Sequence, residues 1–253
     1  MYFHHMNIDA MKTILLLFFL FISFAFVPAD KSSANEIIGA WEFKSGSEVH
    51  TIIFSEKYWA LAEYNLQGKL FSRTYGGSWQ RKNDSMVFTR EFDSEKAGEV
   101  GQETTLPFKL TGKDLSITIS EKHKNQKFTR VDDGSPGKLA GAWLITGRFE
   151  GNSMQKITPG ARRTMKILSG TRFQWIAYNT ETREFFGTGG GTYTTRDGKY
   201  TESIQFFSRD NSRVGKSLEF DFALNEGAWR HTGLSSKGDP IDEVWSKREQ
   251  IGI

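Results

Sequence analysis

The sequence predicts an all-β protein: two tandem small antiparallel β-barrels of about eight strands each, preceded by an export signal. Three observations carry this. The chain repeats itself, it reads as short strands between turn residues, and beyond its first residues it shows no sustained helical spacing of apolar positions.

The repeat sets the organisation. Ile38-Gly39-Ala40-Trp41 recurs as Ala140-Gly141-Ala142-Trp143, and residues 55–79 align without gaps on residues 169–193. In that block Ser55, Tyr64, Asn65, Phe71, Thr74, Gly76 and Gly77 meet identical residues at one constant offset. Between the copies lies Asp132-Asp133-Gly134-Ser135-Pro136-Gly137, which has the composition of a linker. The domains expected are therefore residues 1–29, 30–133 and 134–253. The Gly-Ala-Trp elements are more closely spaced than the aligned blocks, so the second copy carries a longer first hairpin, around residues 148–161.

Within the first copy, strands are expected near residues 39–44, 48–55, 57–65, 69–80, 85–93, 100–110, 113–120 and 126–132. Ser45-Gly46, Gln67-Gly68, Asn83-Asp84 and Thr111-Gly112 supply the turns. Leu115, Ile117 and Ile119 alternate with Ser116, Thr118 and Ser120, the period of a half-buried strand. Aromatic content of 14% suits pleated surfaces. The run Glu121-Lys122-His123-Lys124-Asn125-Gln126-Lys127 reads as a solvated hairpin tip.

At the N-terminus, Met11-Lys12-Thr13 precedes an apolar stretch from Ile14 to Val27, broken only by Ser23. The exit Val27-Pro28-Ala29 fits a secretory signal cleaved near Ala29, hence a periplasmic or secreted protein. The stretch falls short of the roughly 18 apolar residues of a membrane span, so no stable insertion is expected after cleavage, an uncleaved anchor being the alternative. There is no cysteine, so no disulfide framework and no lipid attachment site. A formal charge of +3, with both signs interleaved, is not a nucleic-acid footprint.

Gly39-Ala40-Trp41 and Gly141-Ala142-Trp143 each open a domain, and here the chain resembles lipocalins and related calycins. In that superfamily a basic residue just past the last strand packs over the tryptophan and closes the barrel base. The resemblance implies closure by Trp41 with Arg130 and by Trp143 with Arg248. The paired disulfides of many secreted members are absent. The second copy, over about residues 139–249, is similar to an uncharacterised family of bacterial secreted lipocalin-like domains. The likeness lies in Phe173-Gln174-Trp175-Ile176-Ala177-Tyr178-Asn179, Phe186-Gly187-Thr188-Gly189-Gly190-Gly191-Thr192-Tyr193 and residues 233–240. It implies the fold and an extracytoplasmic location, and no particular activity.

Candidate site residues concentrate in the second copy. Phe173 and Trp175 share a strand face near Tyr178, Asn179 and Tyr193, and Glu202, Arg213 and His231 are polar groups that could converge with them. An ordinary filled core competes with a ligand cavity, because an eight-stranded barrel can be just wide enough for its own side chains. His231 is the one weak candidate for acid–base catalysis, with Glu202 or Glu243 as partner. His50, His123 and His231 lie far apart in the chain with no ligand spacing, so neither metal nor cofactor is expected. Gly189-Gly190-Gly191 reads as a strand bend, since Thr192-Tyr193-Thr194 continues as strand.

Three functions remain open on sequence. The leading one is a secreted or periplasmic protein binding a small molecule, lipid-like or saccharide, in the second copy. The others are an extracytoplasmic enzyme using His231 with a carboxylate, and a structural module with filled barrels. Catalysis is the less favoured, and sequence does not fix the oligomeric state.

Overall fold

The computed structural model describes residues 36–124 and 126–253; the expected signal peptide, residues 1–29, lies outside them. The first copy forms β1 (Gly39–Ser45), β2 (Glu48–Phe54), β3 (Tyr58–Asn65), β4 (Leu70–Lys82), β5 (Ser85–Asp93), β6 (Glu103–Thr111), β7 (Asp114–Ile117) and β8 (Lys127–Asp132). They close in sequence order, β8 pairing back to β1. The second copy forms β9 (Gly141–Glu150), β10 (Ser153–Lys156), β11 (Arg162–Leu168), β12 (Arg172–Asn179), β13 (Phe185–Arg196), β14 (Lys199–Phe207), β15 (Ser217–Asn225), β16 (Ala228–Leu234) and β17 (Pro240–Lys247). Here β17 closes onto β9, and β10 is the extra strand of the longer first hairpin. A single helical turn, α1 (Arg248–Ile251), follows. The all-β tandem-barrel architecture is thus present.

Period-two alternation fills each barrel. Trp41, Ile52, Phe54, Trp59, Leu61 and Phe88 point into the first; Trp143, Phe173, Tyr200, Phe220, Trp229 and Trp245 point into the second. β3 nevertheless buries nearly every side chain on both faces. The second barrel supplies the reason, because Ile53, Tyr58, Ala60 and Phe92 form one apolar cluster with Ala142, Leu144, Met165, Ile167, Ile176 and Tyr178.

That contact is reciprocal. In each copy a bulge sets one extra residue against a Gly-Gly pair, Glu91 opposite Gly76 and Gly77, Gln205 opposite Gly190 and Gly191. Tyr64 donates its hydroxyl to Gln205, and the equivalent Tyr178 donates to Glu91. Tyr64 packs on Phe206 as Tyr178 packs on Phe92, with ring centroids 4.8 and 5.0 Å apart. Such i-to-j and j-to-i exchange is the mark of a two-fold isologous interface, here between two halves of one chain. The glycines make the approach possible. A Cβ at Gly76 would lie 2.3 Å from the Trp59 carbonyl oxygen, and one at Gly190 would lie 2.5 Å from that of Phe173.

Asp132–Gly137, expected as a separating linker, is held tightly. The Asp132 carboxylate accepts hydrogen bonds from Ser169 Oγ, Thr171 Oγ1 and the backbone N–H groups of Gly170 and Thr171. Burial pushes the Asp132 pKa up, but hydrogen bonds from the Thr171 and Ser169 hydroxyls and from the backbone N–H groups of Gly134 and Gly170 hold it below the usual carboxylate range. Both barrels belong to one compact unit.

Candidate functional site

In β11 the side chains alternate between the first barrel and the lumen of the second. Met165 and Ile167 face the neighbouring barrel, so Lys166 and Leu168 face inward. Lys166 therefore sits in the lumen, only 6% exposed. Its Nζ donates to Glu202 Oε1 at 2.9 Å, and the Tyr200 hydroxyl donates to the same oxygen at 2.7 Å. Around the ammonium stand the rings of Tyr200, Phe220, Trp229 and Trp245, at 5.1, 5.6, 5.1 and 5.4 Å. The lysine thus acts as the cation of its own aromatic cage.

His231, on β16, adjoins this cage, its ring 4.1 Å from that of Phe220. Its Nδ1 lies 3.7 Å from Glu243 Oε2, close enough for attraction but too long for a hydrogen bond. Arg148 reaches Glu243 from the other side at 3.3 Å. Burial, reinforced by the Lys166 charge, pushes the His231 pKa down to about 4, so the ring is neutral at pH 7. Burial drives the Tyr200 hydroxyl well above its ordinary pKa, and the Glu202 carboxylate adds to the effect. Burial raises the Glu243 carboxyl, but the His231 ring and the Lys166 charge outweigh this and hold it below its ordinary value.

Among the described residues, four nitrogens in this lumen are buried without a hydrogen-bond partner: His231 Nδ1 and Nε2, Trp229 Nε1 and Trp245 Nε1. Leaving such a group unsatisfied costs roughly 1–3 kcal/mol. Ile157, Trp175, Leu218, Phe222 and Ile241, all partly exposed, continue the cluster toward the surface.

Of the residues singled out on sequence, Phe173, Trp175, Tyr193, Glu202 and His231 do meet inside this barrel. Tyr193 serves its base, donating its hydroxyl to the Ser169 carbonyl at 2.6 Å. Tyr178 does not join them. Alternation along β12 places it with Ile176 on the face opposite Phe173 and Trp175, where it packs between the barrels. Asn179 caps a hairpin turn by accepting from the N–H groups of Glu181 and Thr182, and Arg213 pairs with Asp210 in another turn.

The residue missed was Lys166. The repeat does point to it, since the constant offset that matches Tyr64 with Tyr178 sets Lys166 on Ile52, a lumen position. The same correspondence sets Glu202 on Phe88, and the barrel-closing pairs set His231 on Ile117.

Barrel closure follows the expected form in the first copy and departs from it in the second. The Arg130 guanidinium lies 4.1 Å over Trp41 and donates to the Ile38 and Glu36 carbonyls. In the second barrel Lys247 occupies the equivalent position, 5.3 Å from Trp143, because β17 pairs Lys247 with Trp143 as β8 pairs Arg130 with Trp41. Arg248 instead crosses to the first barrel, where it stacks 3.7 Å over Tyr58 and pairs with Glu91 at 3.0 Å. An ion pair with a buried carboxylate outcompetes an indole face for the guanidinium.

His123 lies not on a solvated tip but fully buried, on a short 3-10 turn inserted into the first barrel. Its ring is 5.1 Å from that of His50, with Ser120 Oγ at 2.7 Å and Glu63 at 3.5 Å. Burial lowers its pKa to about 4. Distance along the chain hid this pairing, because β2 and the turn before β8 meet only on closure. Among the described residues, no group of three or more potential ligands could hold a metal ion.

No protein-family model matches this chain, and no curated protein matches it either.

Proposed function

We propose that this is an exported, calycin-like binding protein whose second barrel recognises a small, hydroxyl-rich, saccharide-like molecule. One observation carries the reading. Where the first barrel has Ile52, Phe88 and Ile117, the second has Lys166, Glu202 and His231 at the corresponding lumen positions. A barrel built only to persist gains nothing from this exchange, since buried ion pairs are often neutral or unfavourable against apolar residues of similar volume. Departures of this kind from a stable pattern concentrate at functional sites.

The chemistry of the lumen favours a neutral polyol over a lipid. Indole N–H groups and a neutral imidazole offer donors and an acceptor, Glu243 adds acceptors, and Lys166 is already balanced by Glu202. Aromatic faces suit the C–H surfaces of a sugar ring, and Trp175, partly exposed, is placed to begin that contact. A fatty acyl chain would leave each of these polar atoms unpaired.

A second reading, an enzyme using His231 with Glu243, is favoured by their 3.7 Å approach. A pKa near 4 makes His231 a weak base at neutral pH, so binding is the stronger reading.

Thermal-shift titration of the intact protein with mono- and disaccharides and with fatty acids tests the proposal. A sugar should raise Tm as expected for a ligand that binds only the folded state. The double variant Lys166→Ile/Glu202→Phe, which restores first-barrel residues, should fold and lose that response. Stabilisation by fatty acids alone, or no response to any sugar, overturns it; so does full retention of sugar binding by the double variant.

A further inference from the structure

Between the bases of the two barrels lies a cleft of about 440 Å³. Its floor comes from equivalent residues of the two copies: Phe54 and Leu168, Ser55 and Ser169, Ile38 and Ala140. Its rim breaks the symmetry. Glu56 stands there where the second copy has Gly170, and α1 contributes Glu249.

Glu249 is badly solvated for a carboxylate. Its Oε1 is shielded from solvent and has no hydrogen-bond partner among the described residues. Burial raises its pKa, and the nearby Glu56 charge raises it further. Lys247 on the rim and Arg248 beside it oppose this rise without cancelling it, and the Lys247 ammonium also lies over Trp143 at 5.3 Å. The cleft therefore combines apolar surface, a half-buried Glu249 carboxylate with an unpaired oxygen beside the Glu56 charge, and a volume within the usual range for small-ligand sites.

We infer that this inter-barrel cleft is a second binding site, taking a small organic ammonium whose apolar body rests on Ile38 and Ala140 while its cationic head sits by Glu249, on the side of Glu56. A cation there offsets the Glu56 charge at Glu249 and gives the unpaired oxygen a partner. A carboxylate ligand would add to the repulsion, and an alcohol would leave it in place. The site is independent of the second barrel's lumen.

Titration of the intact protein with n-hexylamine, n-hexanol and hexanoate, followed by amide chemical shifts, tests this. The amine should perturb Ser55, Gly134 and Ser169 and bind at least about tenfold more tightly than the other two. Glu249→Gln should abolish that preference, and Glu56→Gln should reduce it. Lys166→Ile/Glu202→Phe should leave it unchanged, which separates this site from the saccharide proposal. Equal binding of hexanol and hexylamine, no binding of the amine, or an undiminished preference in Glu249→Gln overturns the inference.

Discussion

The two barrels share a frame and differ in what they enclose. Both open on Gly-Ala-Trp, both satisfy the tryptophan Nε1 with the carbonyl four residues earlier, at 2.8 Å, and both carry the same glycine bulge. The first keeps an apolar middle and gathers its charge at one end, where Tyr75 lies between Arg73 and Arg90, each 4.6 Å away, and where His123 packs against His50. The second carries an ion pair in its middle, inside a ring of aromatics. The backbone frame tolerates either filling, because the alternation that points a residue inward does not depend on its polarity. Conserved frame and divergent lumen are what duplication followed by specialisation of one copy would leave.

The sharpest way to break this comparison is to unpair the second lumen. Lys166→Ala or Glu202→Ala alone leaves a buried charge without a partner and should cost about 3–5 kcal/mol. Lys166→Ile/Glu202→Phe, by contrast, should be close to neutral in urea unfolding. If the single variants lose less than about 1 kcal/mol, the pair is relaxed by water and the two lumens do not differ in kind.

Acid should act on both barrels through their histidines. His123 and His231 are each held at about 4, below the ordinary value of 6.5, so the unfolded chain binds protons more readily than the folded one. Their neutral burial contributes fully above pH 6.5, and that stability is lost as pH falls from 6.5 toward 4. The loss should amount to roughly 3 kcal/mol for each histidine. His231→Ile should remove only the second barrel's share of the slope, His123 keeping the rest. A urea midpoint that stays flat from pH 7 to 4 would show that neither histidine is desolvated.

A smaller difference is expected at the two bases. Arg130→Ala removes a guanidinium over Trp41 and two hydrogen bonds to carbonyls, and should cost about 1–2 kcal/mol. Lys247→Ala removes only a more distant ammonium over Trp143, for roughly 0.5 kcal/mol. Equal losses would show that closure is not the source of the asymmetry.

Much of the frame was legible in the sequence. The strand edges expected at 39–44, 48–55 and 85–93 lie within a residue of β1, β2 and β5, since Gly46 and Asn83 mark their turns by adopting left-handed backbone. Strands expected at 100–110 and 113–120 are shorter, because residues 97–99 and 121–123 form 3-10 turns that alternation does not reveal. Of the candidate site, the aromatics Phe173 and Trp175 followed from alternation alone. Tyr178 failed because it lies an odd number of residues from Trp175, so the alternation that points Trp175 inward points Tyr178 outward with Ile176. Arg248 failed because the choice between it and Lys247 depends on Glu91, a residue of the other barrel.

By itself the sequence determined two copies of an antiparallel barrel, the Gly-Ala-Trp openings and the glycine bends. These depend on period-two patterning, on turn chemistry and on glycines where no side chain fits, all local properties. Tertiary structure alone decided that the barrels dock face to face as one unit, that Asp132 anchors the join, that Lys166 is caged, and that His50 meets His123. Each of these is a contact between residues far apart in the chain, fixed only when closure and docking set which inward or outward face meets which.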